Sequence, residues 1–174
     1  LKSEIEILAK NYVDKMLEAG SECDFVRDIS ALYPLRVIMK ILGVPPEDES
    51  LMLKLTQQLF GGNDEDMKRS EEESIDSNVI ADFFNYFTAL TEERRKNPTD
   101  DVATVIANAK FEGEQIGHLE AMSYYTIIAT AGHDTTSSST AGGVLALIEN
   151  PNELKKLKDN PSIMPMAIDE TIRW

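Results

Sequence analysis

The segment Thr130-Ala131-Gly132-His133-Asp134-Thr135-Thr136 sets a carboxylic acid directly beside two hydroxyls. Such a pair can pass protons: the acid hands one to the alcohol, or to a water the alcohol holds. Ile127, Ala131 and Thr135 stand at i, i+4 and i+8, so a helix puts them on one face, with Asp134 beside it. Ala131 and Gly132 carry almost no side chain and allow a flat or bulky group to approach the backbone. A second pair, Glu170 and Arg173, stands at i, i+3 and can join on one helix face. Metal chemistry is poorly served. A site needs several convergent ligands, whereas His118 and His133 are distant in sequence and Cys23 is the single cysteine. That cysteine can form no disulfide within the chain and no multi-Cys site.

Nearly every element that must position these residues reads as helix. Ile5, Leu8, Tyr12 and Met16 recur at spacings of three and four, which predicts a first helix ending near Gly20. Cys23-Asp24-Phe25-Val26 alternates and suggests one small strand. An apolar helix near Ile29 to Leu42 stops at Gly43 and Pro45-Pro46. Pro46 with Glu47, Asp48 and Glu49 opens the next. It carries Leu51, Leu53, Leu55, Leu59 and Phe60, and Gly61-Gly62-Asn63-Asp64 breaks it. Ile75, Val79, Ile80, Phe83, Phe84, Phe87 and Leu90 mark a long helix that fades at Asn97-Pro98. A short one near Asp101 to Ala109 leads into a turn at Glu112-Gly113-Glu114. The longest element is expected from about Gly117 to Glu149, with two short helices after it.

The middle of that longest helix is weak helix material. Glycine costs about 1 kcal/mol relative to alanine, and Ser and Thr compete for backbone hydrogen bonds. A Thr hydroxyl can bond back to the carbonyl four residues earlier, for Thr135 that of Ala131, and so open or bend the helix. A polar, locally weak stretch between apolar flanks is the pattern expected at a site. By composition alone it equally suits a close helix–helix contact.

Composition narrows the function classes. The 174 residues carry 31 Asp+Glu against 17 Lys+Arg, a net charge of −14, which argues against a nucleic-acid binder. A 42% hydrophobic content fits a folded chain. The apolar runs are too short to span a bilayer, and the opening Leu1-Lys2-Ser3-Glu4 is not a secretory leader. A cytoplasmic setting is expected. Half of the net charge falls between Pro45 and Asp76, where ten acids face three bases; a solvated loop with two helix ends is the favoured reading and an interaction surface the alternative.

In this order, the two motifs resemble those of the cytochromes P450, the haem-thiolate monooxygenases. Ala131-Gly132-His133-Asp134-Thr135-Thr136 is similar to the signature of the family's long central I helix. Glu170-Thr171-Ile172-Arg173 is similar to the Glu-x-x-Arg of its K helix. Gly142 to Pro151 reads like bacterial members, and Arg36-Val37-Ile38 with Leu42-Gly43-Val44-Pro45 resembles the E helix and its turn. The resemblance runs from about helix D to helix K. It implies an all-α, mainly helical fold: part of a P450 domain, a central I helix packed by other helices, with at most minor β structure. Residues 1–174 would form one helical unit, an internal fragment of a longer domain.

The resemblance also implies roles. Asp134 and Thr135 would be the acid–alcohol pair that delivers protons to dioxygen. Ala131, Gly132, Thr135 and Thr136 would lie against the cofactor, haem b. Ile127, Thr130 and Ala131 would line the substrate pocket, and Glu170 with Arg173 would brace the haem-binding core. The variable His133 would face away from the pocket. The parent enzyme would insert one oxygen atom from O2 into a small hydrophobic substrate. Electrons would come from NAD(P)H through a ferredoxin reductase and a ferredoxin. The family's thiolate loop lies downstream of Glu-x-x-Arg, and Cys23, upstream of both motifs, cannot replace it. The alternative is a truncated, non-catalytic helical remnant acting as an interaction module.

Overall fold

The structure, a computed structural model, describes residues 2–60 and 79–173. The side chains of Leu59 and Phe60, the expected break at 61–64, Ile75, much of the acidic segment and Trp174 lie outside the described residues. Helix α1 spans Lys2–Glu18. The strand expected at Cys23 to Val26 does not form. Asp24 acts as a cap instead: its carboxylate accepts from the Arg27 amide at 3.0 Å and its carbonyl from the Asp28 amide at 2.8 Å. Those bonds start a single π-helical turn, Val26–Ser30, closed by the Ala31 amide on the Val26 carbonyl at 2.9 Å.

Helix α2 (Leu32–Leu42) follows, then a 3₁₀ turn (Pro46–Asp48) that runs into α3 (Glu49–Phe60). Helix α4 covers Val79–Lys96 and α5 covers Val102–Ala107. A two-stranded antiparallel ribbon, β1 (Lys110–Phe111) and β2 (Glu114–Gln115), supplies the minor β structure, with Phe111 opposite Glu114. Its turn has positive φ at both central residues, Glu112 (52°) and Gly113 (88°); this is the geometry that matches strand twist in a two-residue hairpin.

Helix α6 (His118–Ala131) and helix α7 (Asp134–Glu149) replace the single long helix expected from Gly117 to Glu149. The interruption falls at Gly132 and His133. Helices α8 (Pro151–Asp159) and α9 (Met164–Arg173) complete the chain, with a 3₁₀ turn at Pro161–Ile163 between them.

These elements make two compact bodies, Leu35–Gly132 and Lys2–Pro34 with His133–Trp174. In the first, Leu35, Met39, Met52, Leu55, Phe83, Phe87, Met122 and Tyr125 form the buried core. The Phe87 ring stacks on that of Tyr125, centroids 4.6 Å apart. The Tyr125 hydroxyl accepts from Thr91 at 3.1 Å and donates to the Ala103 carbonyl at 3.2 Å, so a fully buried phenol keeps its polar end satisfied.

Helix α2 ends in a Schellman motif: the Val44 amide reaches the Met39 carbonyl at 2.9 Å and the Gly43 amide the Lys40 carbonyl at 3.2 Å. Gly43 has φ +71° there, as such a cap requires. Arg94 from α4 donates to the Gly43 carbonyl at 2.8 Å and to Asp101 at 2.6 Å. Asp101 in turn caps α5 by accepting from the Thr104 amide at 2.7 Å. One guanidinium thus ties a helix end to a helix start.

In the second body α7 packs against the π turn, α8 and α9. Tyr12 and Tyr33 meet edge to face, centroids 5.7 Å apart.

Candidate functional site

The central segment is divided between the two bodies after Gly132. Its local geometry begins with hydroxyls that bond backwards. Thr126 donates to the Met122 carbonyl at 2.8 Å and Thr130 to that of Thr126 at 2.5 Å. Beyond the break, Thr140 donates to the Thr136 carbonyl at 2.7 Å. Such bonds loosen and bend a helix, and here the ladder stops between Ala131 and Asp134. Gly132 itself is not left-handed, at φ −82° and ψ −15°. Its role is space: a β-carbon would come within 2.6 Å of the Ile38 Cδ1.

On the first body, Ile127 is exposed, as is Ala131. Thr130 is buried, with its hydroxyl turned to its own helix. On the second body, Asp134 is the first residue of α7, where a carboxylate is favoured by the helix dipole. Asp134, Thr135 and Thr136 are all exposed, and Ser137 behind them is buried. An exposed acid beside an exposed alcohol can exchange protons with solvent.

Thr135 and Thr136 open onto a groove of about 550 Å³ between α7, α8 and α9. Its walls are largely apolar, with Val144 and Leu147 on α7 and Ile168 and Ile172 on α9. The spacing of motifs did not point to this groove. Its one sequence signal is Gly142-Gly143, because a glycine within a helix marks a close approach. Gly143 is indeed pressed against Thr171.

Glu170 and Arg173 do pair. Arg173 Nε donates to Glu170 Oε2 at 2.7 Å and its Nη2 to Oε1, a two-point contact. Arg173 holds the Glu170 carboxyl below the ordinary range, and the carboxylate raises the guanidinium in return. Both side chains are more than half exposed.

His133 is only 4% exposed. Its ring Nε2 lies 2.8 Å from the Ala31 carbonyl oxygen. No motif pairs these two residues, so sequence reading could not have found the contact.

No family model matches the chain. Its full length is 42% identical to cytochrome P450-terp of a Pseudomonas species, covering 42% of that protein. It is 31% identical to steroid C26-monooxygenase of Mycobacterium tuberculosis H37Rv, over 99% of the chain and 43% of the relative. The crystal structure of CYP108D1 from Novosphingobium aromaticivorans superposes with a TM-score of 0.84 at 48% identity, over 98% of this chain and 40% of that one. The chain therefore spans less than half the length of these relatives.

Proposed function

We propose that this chain, whose homologues along its whole length are bacterial cytochromes P450, is the central part of a monooxygenase. The parent enzyme inserts one oxygen atom from O2 into a small hydrophobic substrate. Reducing equivalents reach it from NAD(P)H through a ferredoxin reductase and a ferredoxin. The setting is the cytoplasm, and both bodies belong to one domain. The mycobacterial relative's name specifies a steroid, and a hydrophobic substrate suits the exposed Ile127 of α6.

The observation that carries this reading is the helix break followed at once by an exposed acid–alcohol pair. Haem with an axial thiolate supplies, when bound, the redox chemistry that activates dioxygen. The residues of the second body fit one side of such a group. A flat apolar ring would suit Val144, Leu147 and Ile172, which line the groove together with Thr135 and Thr136. They do not supply its iron ligand. Cys23 is exposed and does not line the groove, and among the described residues no three His, Cys, Asp or Glu converge. The thiolate belongs to another part of the parent protein.

This chain's own contribution is proton management and shape. Asp134 takes a proton from solvent and passes it to the Thr135 hydroxyl or a water held there. Thr136, beside Thr135 on the groove wall, would lie against the cofactor. Ala131 and Gly132 keep the backbone clear of bulk. Ile127 and Ala131, both exposed, supply the substrate-facing side of α6, whereas Thr130 is buried with its hydroxyl on its own helix. The Glu170–Arg173 pair stiffens the last turn of α9.

The full-length protein, reduced under carbon monoxide, is expected to show the Soret band of a thiolate-ligated haem. A protein that takes up no haem, or shows no such band, overturns the reading. The second reading, a non-catalytic helical remnant that serves as an interaction module, predicts no such band. The same spectrum separates the two.

A further inference from the structure

His133 occupies the variable position of the motif, yet it is among the few buried polar residues of the second body. A carbonyl oxygen only accepts, so the contact at 2.8 Å with Ala31 requires the proton on His133 Nε2. The partner is 102 residues away in sequence. Ala31 is itself held, because its amide closes the π turn on the Val26 carbonyl at 2.9 Å. Helix α7 packs against that turn.

The backbone of His133 is tied as well. Its carbonyl accepts from the Ser137 amide at 2.9 Å, on the first turn of α7. The residue therefore has its ring fixed to one element and its carbonyl fixed to another. It sits in the interruption itself, at φ −93° and ψ −65°, immediately before Asp134. A helix start without a side-chain cap frays readily, and α7 has no such cap. The ring contact supplies the missing restraint from outside the helix.

We infer that His133 is a positioning residue: its Nε2–H bond to the Ala31 carbonyl sets where α7 begins and thereby where the Asp134–Thr135 pair points. The inference deepens the function proposed above and rests on it for its catalytic consequence. The restraint on α7 is independent of any cofactor. Sterically, phenylalanine fills the same space without a donor, while glutamine places an amide N–H near the position of Nε2.

The test uses the full-length protein with His133→Phe and His133→Gln. In hydrogen exchange, amides of the first turn of α7, including Ser137, are expected to exchange about 3- to 10-fold faster in His133→Phe. His133→Gln should recover most of that protection. In turnover, His133→Phe should release more peroxide per product at unchanged substrate affinity, and His133→Gln should restore coupling. Unchanged exchange in His133→Phe overturns the inference, as does equal loss in both variants. If His133→Phe does not fold, His133→Gln with wild-type exchange and coupling supports it, and His133→Gln with fraying overturns it. A wild-type protein without thiolate-ligated haem removes the functional reading and leaves the exchange result to decide the restraint.

Discussion

Gly143 of α7 lies so close to Thr171 of α9 that a β-carbon on the glycine would come within 2.6 Å of the threonine methyl. The next-door Gly142 meets nothing within 4 Å. The two positions therefore have opposite expected outcomes. Gly143→Ala forces the helices apart or the threonine out of its rotamer, costing about 1–3 kcal/mol. Gly142→Ala gains helix propensity, up to about 1 kcal/mol. Urea denaturation of the two variants measures the difference. Equal effects would mean that α7 and α9 do not cross at Gly143.

Asp101 gives a pH dependence. Burial pushes its carboxyl up, but hydrogen bonds from Thr99, the Thr104 amide and Arg94 outweigh burial and hold it below the ordinary value. A group with a depressed folded pKa stabilises the fold above its unfolded value, about 3.9 for Asp. That contribution is lost as pH falls through the folded pKa. Asp101→Asn is therefore expected to be less stable than wild type at pH 7, with the gap closing below about pH 4. Denaturation midpoints at pH 7 and pH 3 check this, and a constant gap would contradict it.

Tyr125→Phe keeps the stack on Phe87 and removes one hydroxyl. The Ala103 carbonyl then loses a buried donor. A loss of about 1–2 kcal/mol is expected, with no change in cooperativity. Thr91→Val, which removes the other partner of that hydroxyl, should overlap with it in a double-mutant cycle rather than add.

Thr135→Ala in the full-length enzyme is expected to uncouple turnover, raising peroxide release relative to product while leaving substrate binding intact. Unchanged coupling would remove Thr135 from the proton path. The comparison with His133→Phe is informative, because the alanine deletes the alcohol whereas the phenylalanine leaves it and frees the turn that carries it.

Much of the fold was legible locally. The 3.6-residue spacing of Phe83, Phe87 and Leu90 marks a helix that buries those residues. The stop at Gly43 is read from its neighbours and is realised as a Schellman cap. Two elements were misread. Cys23 to Val26 alternates in polarity, but Asp24 caps a turn there, and a short capping bond outweighs weak strand propensity. The long helix divides at Gly132 and His133, where a glycine sits against Ile38 and the histidine ring reaches the Ala31 carbonyl.

The sequence by itself determined the helical class and the Glu170–Arg173 pair. Each depends on residue type and on separations of a few positions, which a helix converts directly into proximity. Only the tertiary structure decided that Arg94 joins Gly43 to Asp101, that Gly143 meets Thr171 and that His133 reaches Ala31. Those contacts join residues far apart in the chain. Their geometry depends on how whole helices pack, and no local spacing encodes it.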